Sequence, residues 1–410
     1  MSSAVEIDNQ KEVQIPTPVN VLQILGGSAY GGGTEMILAI VTSLLNAGYS
    51  VTLVATDAKT QKTFAKLGID VVSIPQMRRA VNPIFDVISL VKLIRLIRAG
   101  DYDVVHTHTS KAGLLGRFAA WVSGVPVIIH HVHGFAFHEF SGRISHWLYR
   151  ALERAAAHWC HSIVSVNNED REEALRLGIG KHGQVITIEN GVNQERFDQS
   201  ADSSLVRREL GIDSSGYLVG FIGRLSAQKD PATFLRAAKS ISTRIPDAHF
   251  VLAGEGPDME RMQQLARDLS VPNVHFLGFR RDIPEILAAM DLFVLTSRWE
   301  GLPISVLEAM AAGKSIVATN IKGTRELLVD RKSGLLVPAG DPTATACAIA
   351  EMYQSPDLAR CCAKNASEKA ANCYTENRMQ KRILRLYVRL ISNHHHMHAS
   401  AHRSQKLELR

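Results

Sequence analysis

The sequence alternates short apolar stretches rich in β-formers with helical stretches, and this alternation runs through the chain twice. The first series begins with residues 19–25, and the second begins with residues 217–222, after the polar segment 199–204. Alternation of this kind, with strands that are apolar throughout, is typical of a parallel sheet covered by helices on both faces. A chain of 410 residues is also too long for one ordinary hydrophobic core. We therefore predict an α/β protein with two doubly wound, Rossmann-like parallel-sheet domains that face a central cleft.

The same pattern sets the predicted domain boundaries. The first domain covers residues 18–198 and the second covers residues 199–375, because the polar stretch between the two series is where a linker is expected. A long basic helix is predicted over residues 376–392, and we expect it to pack back toward the first domain. The pattern predicts a disordered N-terminus over residues 1–17 and a flexible tail over residues 393–410.

The basic excess of the chain lies at its C-terminal end. Residues 361–410 hold 10 of the 46 Lys and Arg residues but only 3 of the 40 Asp and Glu residues. The rest of the chain has no such excess, which argues against a nucleic-acid groove on the folded body. The basic end can either lie on an anionic membrane surface or remain a solvated helix face and tail.

The cysteines and the N-terminus bear on the expected compartment. Five cysteines are an odd number without metal-ligand spacing, which suits reduced thiols in a cytosol. The N-terminus lacks the basic and apolar regions of a signal peptide, and no apolar run reaches the roughly 18 residues of a membrane-spanning helix. We therefore expect a cytoplasmic protein.

Residues 296–314 place a helix start beside two carboxylates. The segment reads TSRWEGLPISVLEAMAAGK, and its helix is predicted to begin near Pro303. Free backbone N–H groups at a helix start favour an anion such as phosphate. A carboxylate accepts two hydrogen bonds and therefore suits a pair of ribose hydroxyls. Glu300 and Glu308 are thus candidate ligands of a sugar nucleotide; the alternative is a surface Glu and a second Glu that only favours the helix dipole.

Other candidate residues lie in loops that follow predicted strands, where open α/β sheets bind ligands. Arg224 and Lys229 share one strand-to-helix loop and can clamp a diphosphate without a metal, unless they only form a solvated basic turn. Residues 26–33 are either a ligand loop, a flexible turn or a poor dinucleotide fingerprint with Asp57 as its ribose ligand. Glycines allow close approach of a ligand, and an aromatic side chain can stack on a base. The candidates of this kind are Gly31, Gly32, Gly33, Gly223, Gly254 and Phe279, and Glu255 belongs to the same tight turn as Gly254.

A group of histidines follows two predicted neighbouring strands. Alternate histidines on a strand can resemble a metal pair, but no Asp, Glu or Cys completes a ligand set nearby, so we predict no metal. Most strand-end histidines are structural, and His133, which is followed by Gly134, is the best candidate for a polar contact to a substrate. The group comprises His106, His108, His130, His131, His133 and His138.

Residues 76–79 lead into an amphipathic helix over residues 83–99. Its apolar positions recur at helical spacing, with Lys92, Arg95 and Arg98 between them. This pattern fits a helix that docks on anionic lipid, and it equally fits an ordinary amphipathic helix packed on the sheet. Both interpretations stay open at the level of sequence.

Taken together, these motifs resemble the retaining glycosyltransferases of family four, which have the GT-B fold. The resemblance covers about residues 19–390 and is carried by the order and spacing of the motifs. The segments HTHTSKAGLLGR and HGFAFHEF resemble the branch that builds bacterial exopolysaccharide, capsule or O-antigen repeat units. The matching positions are Gly32-Gly33-Thr34-Glu35, His133-Gly134-Phe135, Asn190-Gly191-Val192, Gly223-Arg224 with Lys229, Gly254-Glu255-Gly256-Pro257, and Glu300 with Glu308.

The resemblance implies a role for each matching position. Arg224 and Lys229 would neutralise the diphosphate, Glu308 would hold the ribose hydroxyls, and His133 would contact the donor sugar near the reacting centre. The first domain would face the acceptor, and the second would bind the nucleotide sugar. The implied catalytic residues are His133, Glu300, Arg224 and Lys229. The implied donor-binding residues are Gly32, Gly33, Gly223, Arg224, Lys229, Gly254, Glu255, Phe279, Glu300, Gly301, Leu302, Pro303 and Glu308.

The resemblance also implies a reaction. A hexose or N-acetylhexosamine would pass from a nucleotide diphosphate sugar, foremost a UDP-sugar, to a glycan or polyprenyl-diphosphate-linked acceptor with retention of anomeric configuration. The product would serve bacterial surface polysaccharide synthesis, including lipopolysaccharide and exopolysaccharide, with no metal or other cofactor. The expected location is the cytoplasm, with peripheral contact with the inner face of the plasma membrane as a further hypothesis. The alternatives are a GT-B sugar-nucleotide 2-epimerase and a non-catalytic sugar-nucleotide-binding protein.

Overall fold

The structure, a computed structural model, describes residues 19–27, 30–78, 80–135, 143–197, 203–213 and 215–408. Two parallel sheets with helices on their faces account for almost all of it, which confirms the predicted fold class. The predicted disordered N-terminus, residues 1–17, lies outside the described residues, and so does His138.

The first sheet has seven strands in the order β3-β2-β1-β4-β5-β6-β7. Its strands are buried almost throughout, because helices cover both faces. We call the part built on it the N-terminal domain. Its elements are β1 (Asn20–Gly26), α1 (Gly32–Asn46), β2 (Ser50–Ala55), α2 (Ala58–Ala65), β3 (Asp70–Val72), α3 (Pro83–Ala99), β4 (Val104–His108), α4 (Ser110–Val122), β5 (Val127–Val132), α5 (Arg143–Ala157), β6 (Ser162–Ser165), α6 (Asn168–Arg176) and β7 (Val185–Thr187).

The second sheet has six strands in the order β10-β9-β8-β11-β12-β13. We call the part built on it the C-terminal domain. A 3-10 helix (Gln194–Phe197) precedes its elements, which are α7 (Ser203–Glu209), β8 (Tyr217–Ile222), α8 (Pro231–Ser242), β9 (Ala248–Ala253), α9 (Met259–Asp268), β10 (Val274–Gly278), α10 (Ile283–Ala289), β11 (Leu292–Leu295), α11 (Ile304–Ala311), β12 (Ser315–Thr319), α12 (Lys322–Leu327), β13 (Leu335–Val337), α13 (Pro342–Gln354) and α14 (Pro356–Cys373).

The strand orders explain where the cleft lies. In each sheet the chain leaves one strand, builds outward on one side, and returns to the other side of the same strand. The switch points are therefore β1 next to β4 and β8 next to β11. Ligands of open α/β sheets bind at the carboxyl ends of strands at such points. Both switch points carry the loops that the sequence singled out.

The last helix, α15 (Glu376–Glu408), returns to the N-terminal domain. Its apolar face shares a core with α1 and with the strands of the first sheet, and Gln380 donates a 3.1 Å hydrogen bond to the carbonyl oxygen of Ala39. The chain crosses between the domains twice, and the two crossings lie side by side: the backbone N–H of Val192 donates to the carbonyl oxygen of Tyr374 at 2.8 Å. The buried residues of the helix are Met379, Ile383, Leu386, Tyr387 and Ile391.

Two helix boundaries differ from the prediction. Helix α15 continues to Glu408, whereas the sequence was expected to leave the helix at residue 392 for a flexible tail. The segment contains no Pro or Gly to stop a helix, which explains the extension. Helix α1 begins at Gly32, inside the segment 26–33 that was predicted as a loop, so the last two glycines of that segment belong to its first turn. Among the described helices, none has both the length and the apolarity that a membrane crossing requires.

Candidate active site

The cleft is lined by the first turns of two helices, one from each domain. A Cβ added at Gly32, the first residue of α1, would lie 3.2 Å from the Cδ1 atom of Ile304, the first residue of α11. A Cβ added at Gly33 would meet nothing within 4 Å. The free N–H groups of both helix starts therefore lie near the same space, where they favour an anion.

The basic loop after β8 lies against the loop after β11. The hydroxyl of Thr296 donates to the carbonyl oxygen of Asp230 at 2.8 Å, and the backbone N–H of Arg298 donates to the carbonyl oxygen of Gln228 at 2.8 Å. The neighbouring positions of β8 and β11 in the sheet produce this contact. Arg224, Lys229 and Glu300 thus belong to one wall of the cleft.

Lys229 and Glu300 form an ion pair. The Nζ atom of Lys229 lies 2.5 Å from Oε1 of Glu300, and both side chains are largely buried. The hydroxyl of Ser297 donates to the same carboxylate oxygen at 2.7 Å, and Gln228 donates to the other at 3.4 Å. Arg224 is exposed in the same loop. The structure therefore brings the two predicted residues into direct contact, which the sequence did not reveal.

The glycine turn after β9 packs directly on the basic loop. Gly254 has a φ of +144°, and a Cβ there would overlap the carbonyl oxygen of Gly223. Gly223 in turn lies against the stem of Lys229, since a Cβ added there would be 3.5 Å from its Cδ atom. A side chain at position 254 would therefore displace the basic loop. Glu255, between the glycines, is exposed.

Gly301 lies at one of the contacts between the two domains. A Cβ at this position would overlap the carbonyl oxygen of His133. The side-chain amide of Asn167 donates to the carbonyl oxygen of Gly301 at 2.7 Å, and that of Asn190 donates to the carbonyl oxygen of Leu302 at 3.2 Å. Two N-terminal-domain amides thus hold the turn before α11 against His133.

Glu308 lies one turn inside α11 and is only partly exposed. Burial raises its pKa to about 7, and Arg196 and Lys229 act against that shift while Glu35 adds to it. Pro303 provides the N-cap position of the helix. A carboxyl group that is half protonated at neutral pH gains from a ligand that donates hydrogen bonds to its charged form.

Phe279, the predicted base-stacking residue, contacts the opposite domain. Its ring lies edge-on to that of Tyr30, with centroids 6.1 Å apart, and the ammonium of Lys59 lies 2.9 Å from its centroid. A base can stack on that face of the ring only after Lys59 moves. Stacking on Phe279 therefore stays a prediction.

Four imidazoles form a cluster on β4 and β5 and the loop after β5. His106, His108 and His131 are buried, and His133 is partly buried beside the cleft. Burial lowers the pKa of His133 to about 4 and that of His106 to about 3, so both rings are neutral at pH 7. The Nδ1 atom of His108 lies 3.1 Å from the Nε2 atom of His133.

The same cluster contains a group that could ligate a metal. Within the described residues, His106, His108 and His131 offer ring nitrogens that all lie within 4.8 Å of one another. Both nitrogens of His131 and Nε2 of His106 have no hydrogen-bond partner in that part of the chain. His108, however, already uses both nitrogens, toward Gln23 and His133, so a metal would have to break one of these bonds.

Three polar residues position the site without belonging to any motif visible in the sequence. Asn167, Gln228 and Ser297 position Gly301 and Glu300, yet no motif pointed to them. One signal was available for Asn167 and Ser297, because each follows a buried strand closely, where a polar side chain reaches the cleft.

Two family models match the two halves of the chain. Residues 31–191 match the model described as glycosyl transferase 4-like domain, and residues 202–369 match the model described as glycosyl transferases group 1. The UDP-Gal:alpha-D-GlcNAc-diphosphoundecaprenol alpha-1,3-galactosyltransferase of Escherichia coli is 34% identical over 325 residues, which cover 78% of this chain and 84% of that protein.

Further comparisons agree with this match. The N,N'-diacetylbacillosaminyl-diphospho-undecaprenol alpha-1,3-N-acetylgalactosaminyltransferase of Campylobacter jejuni is 29% identical over 350 residues, 83% of this chain and 91% of that protein. The crystal structure of Anabaena HepE with UDP and glucose superposes with a TM-score of 0.76 at 22% identity, covering 90% of this chain and 99% of that one. At this identity the superposition shows the fold alone.

The fold and the matched motifs define a glycosyltransferase of the GT-B class, and the chain is an enzyme of that class. More particularly, it belongs to glycosyltransferase family four, because a relative of that family matches most of both chains at more than 30% identity.

Proposed function

We propose that this enzyme transfers a hexose or N-acetylhexosamine from a UDP-sugar to a polyprenyl-diphosphate-linked acceptor, with retention of anomeric configuration, in bacterial surface polysaccharide synthesis. The observation that carries the proposal is the Lys229–Glu300 pair beside two converging helix starts. This arrangement suits a diphosphate with a sugar attached. The names of the Escherichia coli and Campylobacter jejuni relatives support the acceptor class, since both contain diphosphoundecaprenol, and the first also contains UDP-Gal.

The geometry supports electrostatic catalysis. Negative charge develops on the diphosphate as the bond to the sugar breaks. Positive charge that stabilises the diphosphate comes from Lys229, Arg224 and the helix-start amides near Gly32 and Ile304. Because these groups are already in position, they lower the barrier without having to move during the reaction. When a diphosphate binds, Lys229 can exchange its bond to Glu300 for one to phosphate, which leaves the Glu300 carboxylate toward the sugar.

The remaining roles divide between the two domains. Glu308 would accept the ribose hydroxyls, and the Gly301 turn would hold the sugar against His133. The domain contact at Gly301 supports this assignment, because it places His133 next to the turn that starts α11. Since Lys229 and Arg224 already supply positive charge, we propose that transfer needs no metal.

Purified protein incubated with a labelled UDP-sugar and a synthetic N-acetylglucosaminyl-diphosphoundecaprenol analogue tests the function. We expect acceptor-dependent transfer that continues in EDTA. NMR of the product should show that the anomeric configuration of the donor sugar is retained. A thermal-shift panel of UDP-, GDP- and ADP-sugars would identify the donor first. Epimer formation without acceptor would instead support a 2-epimerase, and UDP binding without any turnover would support a non-catalytic protein.

Peripheral contact with the cytoplasmic face of an anionic membrane is part of the proposal. One face of α3 packs on the fold through Leu93 and Ile97, while the opposite face leaves an apolar stripe in solvent. Val81 is 74% exposed and Ile84 is 71% exposed. Lys92 and Arg95 are also exposed and adjoin the stripe. Apolar residues flanked by basic ones suit an interfacial helix, and the stripe comprises Ile84, Val87, Ile88 and Val91 of α3 together with Val81, which lies just before the helix.

Vesicle co-sedimentation tests the membrane contact. We expect binding to phosphatidylglycerol vesicles that weakens with salt, and little binding to phosphatidylcholine alone. Val87→Glu should abolish it, while Val329→Glu, at an exposed apolar residue of the other domain, should not. Equal binding by both variants would refute this surface as the docking site.

A further inference from the structure

The imidazole of His133 is the end of a buried hydrogen-bonded chain that begins on the last helix of the protein. Tyr387 of α15 contacts Gln23 of β1, with the Gln23 Nε2 atom 3.0 Å from the Tyr387 hydroxyl oxygen. The Gln23 Oε1 atom lies 2.8 Å from Nε2 of His108. His108 then reaches His133 across 3.1 Å. The chain thus joins residues from the first strand, two central histidines and the C-terminal helix.

Each contact of the chain sets the direction of the next. Because the Gln23 amide donates to Tyr387 through Nε2, its Oε1 atom faces His108 and can only accept. In this orientation of the Gln23 amide, His108 carries its proton on Nε2, which leaves Nδ1 as an acceptor, whereas the reversed amide would give the opposite tautomer. The partner of that acceptor is Nε2 of His133, which must then carry the proton.

The Tyr387 hydroxyl fixes the donor and acceptor directions at the other end of the hydrogen-bonded chain. It accepts from Gln23, so its own proton is available to Nδ1 of His106 at 2.8 Å. Gln23, Tyr387, His106 and His108 are all buried, so water does not compete for these bonds. Burial lowers the pKa of His106, His108 and His133, which keeps the chain uncharged at neutral pH.

We infer that Gln23, His108 and Tyr387 are positioning residues that hold His133 in a single neutral tautomer, with its proton on Nε2 and its Nδ1 atom as a hydrogen-bond acceptor. The inference rests on the proposed role of His133 at the donor sugar. A neutral ring in this tautomer accepts a hydrogen bond from a sugar hydroxyl through Nδ1 and cannot donate one there. The position of α15 thereby determines what the cleft offers to the sugar.

The tautomer is measurable without any assay of transfer. Two-dimensional 15N–1H spectra of histidine-labelled protein distinguish the two neutral tautomers of each ring. We expect His133 to be the Nε2–H form throughout pH 6–8. The Nδ1–H form, or a mixture of the two, would overturn the inference.

Two variants test the chain itself. Tyr387→Phe removes the hydroxyl and keeps the ring, and Gln23→Leu removes both amide atoms. We expect each to produce a mixture of His133 tautomers and to lower kcat by about tenfold, with UDP affinity unchanged because His133 would contact the sugar and not the nucleotide. Tyr49→Phe is the matched control: its ring lies 6.3 Å from that of Tyr387, but its hydroxyl is not part of the chain.

The outcomes separate this inference from the proposed function. If His133→Ala leaves transfer intact, the role of His133 fails whatever its tautomer. If His133→Ala abolishes transfer while Tyr387→Phe and Gln23→Leu change neither the tautomer nor kcat, the positioning role of the hydrogen-bonded chain is refuted. The role of His133 at the sugar then still stands. Stoichiometric zinc that persists without the histidines of residues 394–398 and is lost in His131→Ala would also overturn it, because a metal on His108 would displace His133.

Discussion

The two walls of the cleft differ in the charge of their side chains. The C-terminal wall carries Arg224, Lys229, Glu300 and Glu308, and Lys229 and Glu300 form an ion pair there. The N-terminal wall around His133 consists of imidazoles that burial keeps neutral. Charged side chains on the C-terminal wall suit the binding and release of a diphosphate. Neutral acceptors belong where sugar hydroxyls must be recognised, since a charged group there would bind phosphate as well.

The largest expected effect comes from removing charge on the C-terminal wall. Lys229→Ala should weaken UDP binding roughly 10- to 150-fold, because one charge-assisted phosphate contact is lost. Transfer should fall roughly 10²- to 10³-fold, since the charge acts mostly on the leaving group. Calorimetry and initial rates measure both. Lys364→Ala, which removes an exposed charge of α14, should change neither; an intact UDP affinity in Lys229→Ala would refute the assignment.

The contact between the walls is tested by a matched pair of glycine variants. Gly301→Ala places a Cβ on the backbone oxygen of His133, which cannot yield without moving the walls apart, so we expect about a 100-fold loss of kcat. In Gly32→Ala the tight contact is with the Cδ1 atom of Ile304 at 3.2 Å, which can rotate, while the Cβ and Cγ2 atoms of Ile304 lie at ordinary contact distances, so the change should cost a few-fold at most. Similar losses in both variants would mean that the domain contact is not what matters.

The pH dependence of binding should follow Glu308. Its pKa of about 7 in the unliganded enzyme means that the ribose-binding carboxylate is lost as pH falls below that value. Affinity for a UDP-sugar, whose phosphates do not titrate in this range, should therefore rise between pH 6 and pH 8. In Glu308→Gln the affinity should be weaker and independent of pH, whereas binding of bare pyrophosphate should change little. A parallel loss for pyrophosphate would exclude the ribose role.

Glu308 should also lower the free energy of unfolding of the enzyme. Its pKa is raised from 4.5 to about 7 in the fold, so the unfolded chain ionises first, and folding is penalised above pH 4.5. The penalty grows up to about pH 7 and is then constant. Unliganded Glu308→Gln should melt a few degrees higher than wild type at pH 8 and at the same temperature near pH 4.5. A lower Tm at pH 8 would contradict this.

The smallest effect concerns the amide that holds Gly301. Asn167→Ala removes the hydrogen bond to the carbonyl oxygen of Gly301, which is worth roughly 1 kcal/mol, or about fivefold in kcat/KM. It also removes the N-cap of α6, where the Asn167 side chain accepts from the backbone N–H of Asp170 and donates to its carboxylate, so the melting temperature is measured alongside the rate. Asn193→Ala, in the crossing segment, serves as the control. An unchanged kcat/KM in Asn167→Ala would show that the turn keeps its place without this bond.

Local pattern predicted the fold but not the contacts that complete the site. The strand-helix alternation and the glycine loops are visible in short windows of sequence, so the two sheets and the strand-end loops were accessible. The contact between Lys229 and Glu300 could not be predicted in this way, because the two residues are 71 positions apart and only the pairing of β8 with β11 brings them together. The contact of Gln23 with Tyr387 spans 364 residues and leaves no local trace. The full extent of α15 was missed because its polar end offers no apolar periodicity.

The return of α15 to the first sheet has a consequence for how the protein is made. The core of the N-terminal domain contains residues of β1 and of the last helix, so the half that is synthesised first cannot close its core until translation is nearly complete. Until then its α1 face exposes apolar surface and Gln23 lacks the Tyr387 hydroxyl. A truncated chain that ends before residue 376 would therefore be a target for chaperones and proteases, even though every residue of the proposed site had already been synthesised.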